Sequence, residues 1–267
     1  MVRGLQGREH ARRGLQARLV EGGSGQGPFA LVGVRLRGEE ALVRLREGGE
    51  PRRIIVGISG STGAIYGIRL LEVLRGVAGI ETHLVVTLAG RQTIAIETDY
   101  AMRDVEALAD VTHHHANIAA PIASGSFPAA GMIVAPCSMK TLAGIASSFS
   151  ENLLLRAADV TLKERRPLVL LARETPLHLG HLRHMVALTE MGAIIAPPVP
   201  AFYHRPTSLD GIVNQTVNRA LDLLGIHLPE DLFRRWGSAA GAAGAAGEGG
   251  MGNVGNVDGE GGEGSGR

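Results

Sequence analysis

Between residues 52 and 237 two apolar patterns alternate along the chain. Short, uninterrupted apolar runs bounded by Gly, Ser or Pro recur at 53–58, 84–86, 132–135, 168–171 and 193–195. Runs of this kind suit strands buried on both faces, because a strand with one wet face alternates apolar and polar residues. Helical periodicity fills the intervals near 63–76, 90–109, 138–147, 179–191 and 208–224. A further helix is predicted to open at Ser148-Phe149-Ser150-Glu151, which has the spacing of a capping box. Strands that alternate with helices must be joined by crossovers, so the pattern predicts an α/β fold with a doubly wound, mostly parallel sheet. In such sheets ligands bind beyond the carboxyl ends of the strands.

The pattern fails at both ends. Residues 1–51 mix Arg, Gly and Glu with short apolar stretches such as Phe29-Ala30-Leu31-Val32. They read as a poorly ordered extension, with a small added hairpin as the alternative. From Ser238 to Arg267 the chain is mostly Gly, Ala, Asn, Glu and Ser, a composition with nothing to bury, and it reads as a disordered tail. One domain over 52–237 with two tails is therefore expected, which is a normal size for a single core.

Charge and cysteine content narrow the function. The balance of 27 basic against 26 acidic residues gives a formal charge of +1, so no global field favours nucleic acid or an anionic membrane. No apolar run approaches the ~20 residues of a membrane span, and the N-terminus lacks the apolar core of a secretory signal. A single cysteine, Cys137, excludes an internal disulfide framework and agrees with a reducing, cytoplasmic compartment. Cys137 reads as a packed residue, since no histidine neighbours it in sequence to activate it. The run His113-His114-His115 does not suit a metal site, because adjacent side chains of an extended segment point to alternating faces and cannot all reach one ion.

Candidate chemistry gathers at the predicted strand ends. After the first strand, Gly57-Ile58-Ser59-Gly60-Ser61-Thr62-Gly63-Ala64 runs straight into a helix, where free N–H groups and the helix dipole attract an anion. A nicotinamide-binding loop would read Gly-x-Gly-x-x-Gly and place an acid at the end of the second strand. Here Thr87 stands at that end and Glu81 at the start, so a flavin mononucleotide phosphate fits better than NAD. Ser138, in Pro136-Cys137-Ser138-Met139-Lys140-Thr141, is placed to cap the next helix and to offer a hydroxyl. A second hydroxyl-rich loop, 121–126, contains Ser124. Arg156, Asp159 and Lys163 fall at helical offsets of three and seven, hence on one face. Arg173-Glu174 at a strand end pairs an anion clamp with a proton source.

These residues carry a specific resemblance. Gly60-Ser61-Thr62-Gly63-Ala64 with Tyr66-Gly67, Glu97-Thr98-Asp99, the 121–126 loop, Pro136-Cys137-Ser138, the stretch from Arg156 through Lys163-Glu164-Arg165-Arg166-Pro167, Arg173-Glu174, Phe202-Tyr203-His204 and Arg235-Trp236-Gly237 resemble, in order, the flavin prenyltransferases of the UbiX type. The likeness covers nearly all of 53–237 and neither extension. It implies a Rossmann-like flavoprotein, of the superfamily that includes flavin-containing cysteine decarboxylases. It also implies that dimethylallyl monophosphate alkylates reduced FMN, giving prenylated FMN for a partner decarboxylase without a metal.

Carried over by position, Arg156, Lys163, Arg173 and Arg219, with Tyr203, would hold the prenyl phosphate, and Glu174 would act as the acid. Gly60, Ser61, Thr62, Gly63, Thr87, Ser124 and Ser138, with Arg156 and Arg173, would hold the flavin and its phosphate. Glu97 would face the flavin or the prenyl pocket, and Trp236 would close that pocket and face a developing allylic cation. Thr62 departs from the Ser usual at its position, keeping the hydroxyl and adding a methyl. The resemblance also implies a large homo-oligomer, a dodecamer. Two rivals stand beside it: a flavoprotein decarboxylase acting on peptidyl or pantothenoyl cysteine, and a non-catalytic flavin-binding subunit of a decarboxylase.

Overall fold

The computed structural model describes residues 50–238 and, nearer the N-terminus, the backbone of three strands. These are β1 (Ala17–Leu19), β2 (Phe29–Leu36) and β3 (Glu39–Arg46), which pair antiparallel in that order with Val32 opposite Val43. The rest of the segment read as a poorly ordered extension, and residues 239–267 of the predicted tail, lie outside the described residues.

The main sheet has six strands: β4 (Arg52–Ile58), β5 (Ile80–Val86), β6 (Val111–His113), β7 (Ala129–Cys137), β8 (Leu168–Ala172) and β9 (Ile194–Ile195). All five neighbouring pairs are parallel, and the spatial order is β6-β5-β4-β7-β8-β9. The chain thus winds outward from β4 in one direction, returns to β7 on the other side, and winds outward again. β4 and β7 flank the point where the order reverses, and there the connections leave for opposite faces and open a crevice.

Burial on both faces explains why the strands are unbroken apolar runs. Ile54, Val56 and Ile58 of β4 and Ile133 and Ala135 of β7 pack under helices α1 (Ala64–Leu74) and α7 (Leu209–Leu223). The intervening Ile55 of β4, with Met132 and Val134 of β7, packs under α4 (Met139–Ala146) and α5 (Leu153–Lys163). The remaining helices are α2 (Leu88–Glu97), α3 (Met102–Glu106) and α6 (Leu179–Glu190). No helix among the described residues is long and apolar enough to cross a membrane.

Three local expectations change. The helix expected over 90–109 is two helices, because Thr98 leaves α2 in extended conformation with φ −139° and ψ 160°. Its Oγ1 donates back to the Ile94 carbonyl at 2.8 Å and accepts from the Tyr100 N–H at 3.3 Å, which ends the helix locally. The helix expected to open at Ser148 starts later: Asn152 caps α5, its Oδ1 accepting from the Leu155 N–H at 3.0 Å. Glu151, assigned above to the capping box, instead pairs with Lys140 at 3.2 Å. Strand β6 was not anticipated; it is three residues long, with Val111 and Thr112 exposed, so it carries no apolar run to read.

Close packing of α1 on the sheet rests on Gly67. A Cβ there would strike the Ala135 carbonyl oxygen and lie 2.7 Å from Ile58 Cγ1. Ala in a helix interior is favoured over Gly by about 1 kcal/mol. The obstacle here is backbone that cannot swing aside, so the steric cost prevails. Gly67→Ala is expected to lower stability by about 1–3 kcal/mol in urea unfolding. Gly76→Ala, whose Cβ would come no nearer than 3.4 Å to the Val73 carbonyl, should change it little.

Candidate active site

The loop that leaves β4 forms one wall of the crevice. Gly63 caps α1 with φ 99°, in the left-handed region where a side chain is strained, and supplies no side-chain cap. The first donors of α1 are taken instead by Glu97, whose Oε2 accepts from the Gly63 N–H at 2.8 Å and the Ala64 N–H at 3.1 Å. A carboxylate of the protein thus sits where a helix N-terminus attracts anions. In the same loop the Ser61 hydroxyl oxygen is buried without a hydrogen-bond partner. Thr62 is exposed. A buried hydroxyl that needs a partner, beside small residues that let a ligand approach the backbone, fits a bound flavin nucleotide.

The β5–α2 turn closes on this loop. A Cβ at Gly60 would run into the Ala89 methyl, and one at Gly90 would lie 2.6 Å from the Ile58 carbonyl. The Thr87 N–H donates to the Ile58 carbonyl at 3.0 Å, and its Oγ1 caps α2 by accepting from the Gly90 N–H at 3.0 Å.

Across the crevice, the end of β7 is tied to the end of β4 by Ser59. Its hydroxyl, 1 % exposed, donates to the Pro136 carbonyl at 2.8 Å and accepts from the Ser138 N–H at 2.8 Å. Ser138 caps α4, its Oγ accepting from the Thr141 N–H at 3.3 Å and donating to Thr141 Oγ1 at 3.1 Å. Cys137 between them is wholly buried, and desolvation pushes its thiol pKa up, which agrees with a packing role. The Arg173 N–H donates to the Cys137 carbonyl at 3.1 Å, which brings the end of β8 to the same rim. The side chains of Arg173 and Glu174 are exposed there, and the Glu174 carboxylate accepts from the Thr175 N–H at 3.0 Å.

A second group lies where β7 and β8 begin. Arg166 donates to the Gly125 carbonyl at 2.8 Å and the Phe127 carbonyl at 2.7 Å, clamping the turn that carries Ser124. Arg156 donates from Nε to the Ala123 carbonyl at 3.2 Å and pairs with Asp159 at 2.7 Å. Lys163 pairs with Glu164, and that contact holds the Glu164 carboxyl below its usual range. Ser124 Oγ bonds Ser126 Oγ at 2.9 Å.

A third group surrounds the end of α7. Arg219 pairs with Asp222 at 2.6 Å, and Trp236 meets Tyr203 edge-on with centroids 5.4 Å apart.

The single chain therefore brings Gly60, Ser61, Thr62, Gly63, Thr87, Ser138, Glu97, Arg173 and Glu174 to one crevice. It leaves Ser124, Arg156 and Lys163 in a second group and Tyr203, Arg219 and Trp236 in a third. Sequence reasoning gave no role to Ser59, Arg166 or Asp222. For Ser59, its place directly after an apolar strand was the available signal.

A family model described as Flavoprotein matches residues 43–220. The flavin prenyltransferase UbiX of Escherichia coli K12 is 65% identical over 188 residues, which is 70% of this chain and 100% of the relative. The UbiX flavin prenyltransferase of Thauera aromatica is 58% identical, covering 69% of this chain and 93% of its own. Among solved structures, AnUbiX (PadA1) in complex with FMN and dimethylallyl pyrophosphate is similar at 52% identity and TM-score 0.67, covering 70% of this chain and 97% of that one. A dodecameric FMN-dependent UbiX-like decarboxylase from Escherichia coli O157:H7 is similar at the same identity and TM-score, covering 69% and 98%.

Ser59→Ala would leave the Ser138 N–H unpaired across the crevice, while the Pro136 carbonyl keeps the Ser59 backbone N–H at 3.2 Å, and is expected to cost about 1–3 kcal/mol of stability. Denaturant midpoints of the two proteins measure it; an unchanged midpoint would show that water replaces the hydroxyl.

Proposed function

The chain belongs to the flavin prenyltransferase family, and from that premise we propose how its own residues carry out transfer of a dimethylallyl group from dimethylallyl monophosphate to reduced FMN. The observation that carries the reading is the crevice between β4 and β7, where an unpartnered buried Ser61 hydroxyl and the exposed Arg173-Glu174 pair share one rim with the start of α1. Reduced FMN, when bound, supplies the electron-rich ring that is alkylated. Gly60, Ser61, Thr62, Gly63, Thr87 and Ser138 hold it, small side chains and hydroxyls allowing close approach.

Breaking an allylic carbon–oxygen bond leaves charge on the departing phosphate, and fixed cations stabilise that charge electrostatically. Arg173 is the cation already at the crevice. Glu174 beside it supplies a proton to the leaving phosphate or to a flavin atom. Arg156 and Lys163, with Ser124, and the group of Tyr203, Arg219 and Trp236 reach the donor when copies of the chain assemble, since one chain holds them apart. The exposed apolar side chains of Leu179, Leu182 and Val186 along α6 support a homo-oligomer, by analogy with the dodecameric relative. A cytoplasmic setting, a separate prenylated-FMN-dependent decarboxylase as recipient, and a domain of 52–237 with dispensable extensions complete the reading.

A decarboxylase acting on peptidyl or pantothenoyl cysteine has no use for the Lys163, Arg173, Glu174 and Tyr203 set, and a storage subunit has none for an acid at the rim. Anaerobic incubation with reduced FMN and dimethylallyl monophosphate should raise the flavin mass by one prenyl unit; an unaltered flavin sinks the proposal. Glu174→Gln keeps shape and loses the proton, so it should bind both ligands almost normally and turn over at least ~100-fold more slowly in single-turnover experiments. Arg173→Ala should weaken donor binding and slow the chemistry together. Wild-type speed in Glu174→Gln would move the acid role to Glu97. Removal of residues 238–267 should leave FMN binding and cooperative melting intact, and NAD should not bind.

A further inference from the structure

One carboxylate joins the parts of the third group. Asp222 stands in the last turn of α7 with its side chain 9% exposed, and its Oδ2 accepts from Arg219 at 2.6 Å and from Arg235 at 2.7 Å. Its Oδ1 accepts a further bond from Arg235 at 2.9 Å, so the Arg235 fork is held bidentately. Arg235 precedes Trp236, whose ring lies perpendicular to Tyr203 at 5.4 Å. The segment that carries them is docked on α7 by little else that is charged or polar. Asp231 pairs with Arg235 at 2.6 Å, and the wholly buried Asn218 accepts from the Leu232 N–H at 2.8 Å.

We infer that Asp222 is a positioning residue for the prenyl donor: its carboxylate fixes the Arg219 guanidinium and the Arg235-Trp236 segment in one arrangement, so that Arg219, Tyr203 and Trp236 meet the donor as a preformed half-site. The inference rests on the prenyltransferase reading above. Its physical content is preorganisation. An unpaired Arg219 on an exposed helix face would spend rotamer entropy each time it closed on a phosphate, and a loose C-terminal segment would have to be ordered by the donor. Both costs are met in advance by an ion-paired carboxylate that is largely out of solvent. The Arg235 contacts hold the Asp222 carboxyl below its ordinary range, so it stays charged at neutral pH.

Asp222→Asn retains shape and removes the charge. The full chain contains a single tryptophan, so fluorescence reports on Trp236 alone. In the variant the time-resolved anisotropy of Trp236 should gain a fast local component, and the KM for dimethylallyl monophosphate should rise about tenfold. The turnover number should stay within about threefold and the Kd for FMN should not change. Arg235→Lys, which keeps the charge and loses the fork, should move the same two quantities in the same direction by less, and it decides the matter if Asp222→Asn does not fold.

A lower melting temperature with unchanged KM and anisotropy would reduce Asp222 to a structural residue and overturn the inference. So would a lower KM, which would mean that Asp222 restrains Arg219 from the donor. If the wild-type protein does not alkylate FMN, the prenyltransferase reading falls by itself. Trp236 anisotropy then still decides the positioning, and an unchanged signal overturns it.

Discussion

Two adjacent parallel strands, β4 and β7, have to remain paired while the chain segments that leave them part to opposite faces of the sheet. Ser59 meets that requirement with a buried hydroxyl that donates to the Pro136 carbonyl and accepts from the Ser138 N–H, and with its own N–H, which donates to the same carbonyl at 3.2 Å. These bonds hold the two strand ends together beyond the paired residues of β4 and β7. Other features of the rim follow from this fixed spacing. α1 can start in the crevice because Gly63 turns the chain with positive φ, and the β5–α2 turn can press on β4 because Gly60 and Gly90 present no Cβ. Arg173 reaches the same rim through its own backbone bond to Cys137.

The charges around this frame are matched internally. Glu97 satisfies the first donors of α1, Asp159 pairs with Arg156, Glu164 with Lys163 and Asp222 with Arg219. This agrees with a net charge of only +1 and with an anion site built from local clusters. Glu97 is the clearest instance: the same helix N-terminus that suits a nucleotide phosphate or flavin carbonyl is occupied by a side chain of the chain itself.

The separation of the cations into three groups has a topological cause. Residues that leave the carboxyl ends of parallel strands converge at the crevice, whereas Ser124 and Lys163 belong to segments that lead into β7 and β8 from the other side. Tyr203, Arg219 and Trp236 belong to α7 and the chain around it, on the α1 face of the sheet. The length of the strands, about 3.3 Å per residue, keeps the crevice at one end of the sheet apart from Ser124 and Lys163 at the other.

The amino-acid sequence by itself determined the class of fold, because strands buried on both faces must be continuous apolar runs such as 53–58 and 168–171, and helices between them must bury a stripe. It also placed a small-residue loop at the first strand end, since the Gly60-Ser61-Thr62-Gly63 spacing and Thr87 at the second strand end are local facts. The ordered motifs running to Arg235-Trp236-Gly237 carried the family. Elements with weak local signals stayed hidden. β6 has only three residues, and the break at Thr98 depends on a side chain turning back on its own helix. Asn152 and the Ser148–Glu151 spacing offer the same capping chemistry, and which of them starts α5 depends on how the helix lies against the sheet. Tertiary structure alone decided that Ser59 bridges to Pro136 and Ser138, that Glu97 caps a helix 33 residues away, and that Asp222 joins Arg219 to Arg235. The physical reason is common to all three: a hydrogen bond between distant residues is specified by the packing that brings its partners within 3 Å, and no periodicity along the chain records it.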